Sequence, residues 1–446
     1  MCDKTFFNII IIGGGFNGLT SALSLACTNP NLKIALLEKN DILSQNKQRD
    51  GRAFAISKTS MDLFKKIGIW SEIEPYVGKI KDIRITDGNS PFYLHFEGEI
   101  TSDDSGLLGT VIENYHIHNA LRNAAIKKEN IEIFSPNFYE NIEFENNKVA
   151  IILDNKKTIE AELLIAADGR NSPLRGQFNI HTFEKSYHQS ALVFNISHTK
   201  SHENIAQERF LPEGPFAVLP MQSDYESSIV WTVKTDMADT IINLDEENFL
   251  TQLKKRLITT NTPANQLLQK NSRHFDFLDR SVSEYTREPK NQNNEEVCSK
   301  SYDLQEYCYL GEIKVITKPF KYELNLILAD DYFYKRAVLV GDAVHGIHPI
   351  AGQGFNLGID DIKVLTDLVK EYFECGLDIG SVTLLEKYQK LRKLGAGKMI
   401  LATDSLNALF SNKILSIKLV RDLGLAMVEK LPKLKKFFIK NAGGSK

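Results

Sequence analysis

Cysteine and tryptophan are scarce in this sequence, and it has no long apolar run. The five cysteines are odd in number and scattered, with no CxxC pair, so the sequence favours neither a disulfide framework nor a zinc site. The apolar stretch at residues 9–12 is far shorter than the ~20 residues that a membrane-spanning helix needs. The net charge of −3 gives no sign of a nucleic-acid partner.

The start of the chain and the overall composition predict a folded protein of the cytoplasm. Residues 1–5 lack the basic, apolar and small-residue regions of a secretory signal. Hydrophobic residues make up 42% of the chain and charged residues 25%, as in ordinary globular proteins. At roughly 150 residues per domain, the 446 residues predict two or three domains.

Hydrophobic periodicity predicts an α/β chain that opens with a βαβ unit. A buried strand over residues 6–12 precedes a helix over 19–26 and a second strand over 33–38. Between residues 185 and 280, β-branched and aromatic runs predict a mostly antiparallel sheet, which we assign to a second domain. Residues 380–440 have a helical pattern.

The first glycine-rich motif, residues 13–18, follows the opening strand and satisfies GxGxxG. Gly13 permits a tight turn, Gly15 lets the backbone approach a pyrophosphate, and Gly18 lets the helix pack on its strand. Glu38, at the end of the second strand, is placed to accept hydrogen bonds from ribose hydroxyls. A carboxylate there would repel a 2′-phosphate, so the motif predicts FAD or NAD without choosing between them.

A second glycine-rich string, residues 341–361, follows a buried strand at 337–340. The Asp342 carboxylate is placed to accept hydrogen bonds from a polyol such as the ribityl chain of flavin, with a turn cap as the alternative. Residues 349–354 are small and lead into a helix, so backbone N–H groups would face the negative charge of a reduced flavin ring. This loop favours FAD as the resident cofactor.

Two histidines, His345 and His348, stand three residues apart in this string. Their proximity raises the question of a metal site, but no carboxylate or cysteine of ligand spacing accompanies them. We therefore expect packing or hydrogen bonding from these side chains and predict no metal.

Three ordered motifs together resemble the single-component FAD-dependent aromatic monooxygenases. The motifs are Gly13-x-Gly15-x-x-Gly18, Asp168-Gly169-Arg170-Asn171-Ser172-x-x-Arg175, and Gly341-Asp342-Ala343 through Gly352-Gln353-Gly354-x-Asn356-Leu357-Gly358. Within that family the chain is most similar to the ubiquinone-biosynthesis hydroxylases, with supporting matches at residues 50–57, 111–114 and 402–425. The resemblance spans essentially the whole chain.

The resemblance implies further cofactor-binding residues, and it leaves the catalytic side chain unknown. The cofactor-binding residues that it adds are Arg52, Asn114, Asp168, Arg175, Gly352, Gln353, Gly354 and Asn356. Many relatives carry arginine or glutamine where this chain has Asn114, although asparagine is still a competent donor. Taken alone, Asp168 could simply end a strand in a turn, and Arg52 and Arg175 could be solvated surface cations. Candidates for the wall of the flavin site are His348, Pro349, Ala351 and Gly352.

The chemistry implied by the resemblance is aromatic hydroxylation. NADH or NADPH reduces FAD, and the reduced flavin combines with O2 to form a C4a-hydroperoxide that attacks a hydrophobic, polyprenylated phenol in ubiquinone biosynthesis. The chain has no second GxGxxG, so the nicotinamide donor is expected to visit transiently. The alternatives are an FAD-dependent prenyl reductase and a non-catalytic, FAD-bound scaffold of a biosynthetic assembly. Flavin-dependent halogenases are disfavoured because the only tryptophans, Trp70 and Trp231, lie far apart.

The implied fold is a Rossmann-like FAD-binding domain interleaved with a mostly antiparallel β-sheet substrate domain, followed by C-terminal helices. The expected division assigns 1–75, 100–180 and 310–365 to the FAD-binding domain, 76–99 and 181–309 to the substrate domain, and 366–446 to the helices. Residues 287–301 are too polar for a core, so we expect a solvated insertion there, with a functional lid as the alternative.

The last segment, residues 411–446, is basic and amphipathic, with nine Lys or Arg against two acidic residues. This pattern is typical of a segment that attaches to an anionic lipid surface. A terminal helical pair packed on the FAD-binding domain explains the pattern equally well. We therefore expect a cytoplasmic protein with peripheral contact at the inner face of the membrane, and membership of a biosynthetic complex stays open.

Overall fold

The secondary structure is described for residues 4–44, 49–87, 93–98, 106–211, 213–257, 308–347 and 353–410 of a computed structural model. In chain order, the strands are β1 (Lys4–Ile12), β2 (Ile34–Leu37), β3 (Ala53–Ile56), β4 (Gly78–Ile80), β5 (Asp82–Asp87), β6 (Tyr93–Glu97), β7 (Gly109–Glu113), β8 (Ile131–Phe134), β9 (Tyr139–Phe144), β10 (Val149–Leu153), β11 (Thr158–Ala166), β12 (Thr182–His198), β13 (Ile205–Leu211), β14 (Gly214–Pro220), β15 (Glu226–Lys234), β16 (Ile313–Val315), β17 (Phe320–Ala329), β18 (Phe333–Tyr334), β19 (Ala337–Leu339) and β20 (His345–Gly346). The α-helices are α1 (Phe16–Thr28), α2 (Lys58–Lys66), α3 (Trp70–Ile73), α4 (Asn114–Ile126), α5 (Pro173–Gln177), α6 (Thr235–Ile242), α7 (Glu246–Leu257), α8 (Gln353–Glu374) and α9 (Val382–Phe410).

An eight-stranded sheet carries the first core, in the order β18-β19-β11-β1-β2-β8, with β10 and β9 continuing from β11. Its centre is parallel, and Ile10 of β1 lies between Ala35 of β2 and Leu164 of β11. All three side chains are fully buried, as the apolar runs of a parallel sheet covered on both faces require. The predicted α/β class is confirmed, and β1, α1 and β2 form the expected βαβ unit.

A second, nine-stranded sheet has the order β20-β17-β12-β15-β14-β13-β5-β6, with β16 also pairing with β12. Most of its pairs are antiparallel, and β5 joins β13 in parallel. Its longest strand, β12, changes register against β17 between Ser186 and Gln189. His188 has a φ of 52° at this irregularity, so the strand is locally bulged.

Strand pairing differs from the expected division of the chain at β4, which pairs with β7 in a three-stranded sheet with β3, and within residues 310–365. Residues 310–365 were expected to belong wholly to the FAD-binding domain, but β16, β17 and β20 pair within the nine-stranded sheet. The reason is that β17 pairs antiparallel with β12 from Phe320 to Ala329, before the chain returns to the eight-stranded sheet through β18 and β19. The polar segment 287–301 lies outside the described residues.

Helices cover both sheets. One face of the nine-stranded sheet packs against α6 and α7, where Phe194 and Trp231 meet Phe249 and Leu253 in one apolar cluster. At the eight-stranded sheet, α1, α4 and α8 supply Leu19, Ile117 and Ile362 to the first core. No described helix is long and apolar enough to cross a bilayer, and the basic segment 411–446 lies outside the described residues.

Candidate functional site

The turn between β1 and α1 is packed so tightly that Gly13 and Gly18 have no room for a side chain. Gly13 has a φ of 110°, and a Cβ there would stand 2.4 Å from the Ala167 carbonyl oxygen. A Cβ on Gly18 would stand 1.7 Å from the Gly13 carbonyl oxygen. These two residues therefore serve the tight turn and the packing of the helix on its strand.

Gly15 lies in a different environment from the other two glycines. A Cβ on Gly15 would meet no protein atom within 4 Å. Gly15 is also the N-cap of α1, whose first turn contains no acidic side chain and no side-chain cap. The backbone N–H groups at this helix start thus face a space that fits a phosphate group.

Glu38 follows β2 and lies beside this turn. Its Oε2 accepts a hydrogen bond of 2.6 Å from the Gly14 backbone N–H. Its Oε1 accepts two hydrogen bonds of 2.8 Å from the backbone and side-chain amides of Asn40. The carboxylate is only half-buried, so it stays available to ribose hydroxyls at the carboxyl edge of the sheet.

The Asp168 loop leaves the neighbouring strand β11. Asp168 Oδ2 accepts a hydrogen bond of 3.0 Å from the Leu174 backbone N–H, whereas its buried Oδ1 has no partner among the described residues. Burial raises the pKa of this carboxyl group, and the hydrogen bonds that it accepts oppose that shift. An unsatisfied buried acceptor fits a ligand hydroxyl, which is what the ribityl chain of FAD would offer.

Arg175 joins the Asp168 loop to the Asp342 loop. Its buried guanidinium donates hydrogen bonds of 3.0 Å to the carbonyl oxygens of Ala343 and Arg170. Ser172 caps α5 by accepting a 3.0 Å hydrogen bond from the Arg175 backbone N–H. The side chain is therefore not a solvated surface cation, and its contact with cofactor stays a prediction.

The two glycine-rich motifs meet at Asn17. A Cβ on Gly341 would stand 1.9 Å from Asn17 Nδ2, and a Cβ on Gly358 would stand 2.8 Å from Asn17 Oδ1. The turn after β1, the turn after β19 and helix α8 thus lie in direct contact, although more than three hundred residues separate the first from the others. Residues 348–352, which include the expected wall residues, lie outside the described residues.

Asp342 lies at this meeting point and is half-buried. Burial raises the pKa of its carboxyl group, while the positive charges of Arg170 and His345 counteract that rise. Arg170 Nη2 donates a hydrogen bond of 3.4 Å to the Ile347 carbonyl oxygen, which holds the cation beside the loop. A carboxylate so placed fits the predicted role of accepting hydrogen bonds from a polyol.

Beneath the Asp342 loop lies a buried charge cluster that the sequence patterns did not predict. Asp361 Oδ2 is 2.7 Å from His345 Nε2 and accepts a 2.9 Å hydrogen bond from the Gly341 backbone N–H. Asp361 Oδ1 accepts a 2.6 Å hydrogen bond from Arg392 Nε. His345 therefore forms an ion-pair contact, a polar role in line with the expectation, while Arg392 enters from α9 without any motif of its own.

Arg52 and Asn114 lie next to each other. The Arg52 carbonyl accepts a 2.8 Å hydrogen bond from the Asn114 backbone N–H. The Arg52 guanidinium pairs with Asp50 at 2.5 Å and stacks 5.1 Å above the Phe320 ring of the nine-stranded sheet. Arg52 thus contacts the nine-stranded sheet and is only partly exposed to solvent.

Asn356 and Gly354 lie at the start of α8. The Asn356 Oδ1 accepts hydrogen bonds from the Ser57 backbone N–H at 3.0 Å and from Ser60 Oγ at 2.8 Å. Its Nδ2 donates a 3.0 Å hydrogen bond to the Ala55 carbonyl oxygen. This amide ties α8 to β3 and α2, so its predicted contact with cofactor stays a prediction. Gly354 lies beside Ile347, and the side chain of Gln353 lies outside the described residues.

Metal-binding groups are not a feature of this region. Within the part of the chain that the structure describes, no three His, Cys, Asp or Glu side chains are grouped as metal ligands would be. The site therefore combines an open space at a helix N-terminus, three carboxylates and glycine-rich backbone at one edge of a parallel sheet. These features fit a dinucleotide such as FAD.

Comparisons with known proteins agree with this geometry. The model of the FAD binding domain family matches residues 7–289 and 281–403. Ubiquinone hydroxylase UbiL of Rhodospirillum rubrum is 31% identical over 441 residues, covering 98% of this chain and 90% of that protein. The mitochondrial ubiquinone biosynthesis monooxygenase COQ6 of Dictyostelium discoideum is 28% identical, covering 97% and 90%.

Solved structures support the same fold. The p-nitrophenol 4-monooxygenase PnpA of Pseudomonas putida has a TM-score of 0.71 at 15% identity and covers 99% of each chain. HpxO of Klebsiella pneumoniae, solved with FAD and uric acid, has a TM-score of 0.66 at 14% identity, covering 98% of this chain and 97% of its own.

Fold and site together define a flavoprotein that binds FAD. The chain belongs to the FAD binding domain family, and within that family it is an FAD-dependent aromatic hydroxylase.

The glycines of the first turn provide a test of where the cofactor lies. Gly15→Ala should leave the stability of the apoprotein unchanged and weaken FAD binding about tenfold or more, because the added methyl group meets only the space for the pyrophosphate. Gly18→Ala should instead destabilise the apoprotein by about 1–3 kcal/mol through overpacking. FAD titration by fluorescence and chemical unfolding of the apoprotein measure the two effects. Equal FAD affinity of Gly15→Ala and the wild type would contradict the assignment.

The Asp361 cluster predicts a pH dependence of stability. Burial raises the pKa of Asp361, but the positive charges of His345 and Arg392 outweigh burial, so the pKa lies below the ordinary value of 3.8. Ionised Asp361 therefore stabilises the fold above about pH 4, and this contribution is lost as the pH falls through the folded-state pKa.

Asp361→Asn should accordingly lower the free energy of unfolding at pH 7 by about 3–5 kcal/mol, because Arg392 is left buried without its counter-charge. The difference from wild type should shrink as the pH is lowered below about 4. Glu371→Gln is the matched control, since it removes an exposed pair with Lys387 and should cost less than about 1 kcal/mol. Guanidinium unfolding at several pH values measures both variants, and equal costs would refute the role of the cluster.

Proposed function

We propose that this protein hydroxylates the aromatic ring of a polyprenylated phenol in ubiquinone biosynthesis, with NADH or NADPH as the reductant. The observation that carries the proposal is the contact of Asn17 with Gly341 and Gly358, which brings both glycine-rich motifs to one site. The relatives named as ubiquinone hydroxylase and ubiquinone biosynthesis monooxygenase support the choice of pathway.

Each part of the site has a role in holding the cofactor. Gly15 and the N–H groups of α1 would hold the pyrophosphate, and Glu38 would bind the adenosine ribose. Asp168 and Asp342 would accept hydrogen bonds from the ribityl chain, and Arg175 keeps their two loops together. The chemistry that FAD would supply when bound is to accept hydride from the nicotinamide donor and to activate O2.

The chain itself must keep the reacting ring dry and correctly placed. The face of the nine-stranded sheet opposite α6 and α7 carries buried apolar side chains, including Ala191 and Val193, and we propose that this face borders the reacting ring. Exclusion of water from such a cleft favours oxygen insertion over side reactions. Residues 348–352, with His348, Pro349, Ala351 and Gly352, remain the proposed wall beside the flavin ring.

The proposal is tested by adding NADH or NADPH in air to the purified yellow protein, with and without a phenol bearing one isoprenyl group. We expect the phenol to stimulate nicotinamide oxidation, with uptake of O2 and a product heavier by one oxygen atom. An FAD-dependent reductase would oxidise the nicotinamide and reduce a prenyl chain without oxygen insertion. A scaffold would bind FAD and show no stimulation by the phenol.

Because the proposed substrate is lipid-soluble, the proposal includes contact of the protein with a membrane surface. The nine basic residues of 411–446 and their apolar neighbours support attachment to anionic lipid. On α9, which leads into this segment, Leu391 and Leu394 are 47% and 63% exposed. The protein would then act as a peripheral protein at the cytoplasmic face of the membrane.

Deletion of residues 430–446 should weaken co-sedimentation with liposomes that contain anionic lipid, because it removes six of the nine basic residues. The FAD content of the protein should not change. Liposomes of neutral lipid serve as the control and should retain little of either protein. Equal sedimentation of the full-length and shortened proteins with anionic liposomes would remove the membrane proposal.

A further inference from the structure

The Glu38 carboxylate accepts three hydrogen bonds from neighbouring residues. The Gly14 backbone N–H donates to Oε2 at 2.6 Å, whereas the backbone N–H and the side-chain amide of Asn40 both donate to Oε1 at 2.8 Å. A carboxylate group has about four lone-pair positions, and the two donors of Asn40 fill those of Oε1. One acceptor position therefore remains open, and it lies on Oε2.

The side chain of Asn40 does more than close a local turn. An exposed asparagine beside a turn ordinarily bonds to backbone two residues on. Asn155 does so, because its Oδ1 accepts a 3.0 Å hydrogen bond from the Lys157 backbone N–H. The Asn40 side chain instead donates to the side chain of Glu38. Two donors of Asn40 converge on one oxygen, so they fix the rotation of the carboxylate group and the direction of its open position.

Ser135, which follows β8, holds the backbone of Asn40 in place. Its Oγ donates a 2.7 Å hydrogen bond to the Asn40 carbonyl oxygen and accepts a 3.0 Å hydrogen bond from the Ile42 backbone N–H. Ile42 is buried, and a Cβ on Gly14 would stand 3.0 Å from its Cδ1. The loop after β2 thus packs against the same glycine-rich turn that donates to Glu38.

A buried cation holds the next part of this loop. Arg122 of α4 donates hydrogen bonds from Nε to the Ile42 carbonyl oxygen and from Nη2 to the Leu43 carbonyl oxygen. Loop backbone that is bonded at consecutive carbonyl groups has little freedom to move. Asn40 therefore presents its donors to Glu38 from a fixed position.

We propose that Asn40 is a positioning residue that orients the open acceptor position of Glu38 toward a hydroxyl group of the FAD adenosine ribose. This inference rests on the proposed binding of the ribose by Glu38, and it adds the side chain that orients the carboxylate. A hydrogen bond depends on direction. Without Asn40, the Glu38 side chain would lose its rotamer freedom each time the cofactor binds, and that loss would weaken binding.

The test compares FAD with an analogue whose adenosine carries 2′,3′-dideoxyribose and therefore has no hydroxyl group for Glu38. Binding to the apoprotein is measured from the change in flavin fluorescence, without turnover. Asn40→Ala should weaken the affinity for FAD about fivefold and leave that for the analogue unchanged, because only FAD uses the oriented carboxylate. Asn155→Ala is the matched control, since Asn155 is also an exposed asparagine beside a turn, and it should change neither affinity.

The wild type should bind the analogue about tenfold more weakly than FAD, because a hydrogen bond to a charged group is lost. Unchanged FAD affinity of Asn40→Ala, or an equal loss for both ligands, would overturn the inference and leave the proposed role of Glu38 standing. Equal affinity of the wild type for the two ligands would remove that role and the inference together. Hydroxylation of the phenol is a separate measurement, so failure of the inference is distinguishable from failure of the proposed function.

Discussion

The close approach of Asn17 to Gly341 and Gly358 is the contact on which the rest of the site depends. No residue larger than glycine fits at Gly341 without displacing the Asn17 side chain. This contact sets the start of α1 against the turn after β19 and against helix α8. As a result, the open space beside Gly15 and the carboxylate of Asp342 belong to one site.

Buried cations hold this arrangement in place. The Arg175 guanidinium donates hydrogen bonds to carbonyl oxygens of two loops. Arg392 pairs with Asp361, which also accepts a hydrogen bond from the Gly341 backbone N–H. Burial of a charged group costs free energy, and its interactions offset that cost only when every donor has a partner. Their contribution is to position the loop backbone, whereas Glu38, Asp168 and Asp342 are the carboxylates that we propose to bind the cofactor.

The second sheet contributes apolar side chains of a kind that the first sheet lacks at its carboxyl edge. Parallel strands end in polar turns that suit phosphate and ribose, but they offer no broad apolar surface at their edge. The nine-stranded sheet carries buried apolar side chains, including Ala191 and Val193, on the face opposite α6 and α7. Two contacts fix this face against the first domain, namely Arg52 above Phe320 and Glu113 with Asn195.

The sequence by itself determined the α/β class, the βαβ unit and the packing roles of Gly13 and Gly18, because these depend on patterns within a few neighbouring residues. It did not reveal the partnership of Asp361 with Arg392, which lie on different helices, nor the place of β17 in the second sheet. Only the tertiary structure decides such features, since each depends on which distant segments pack together.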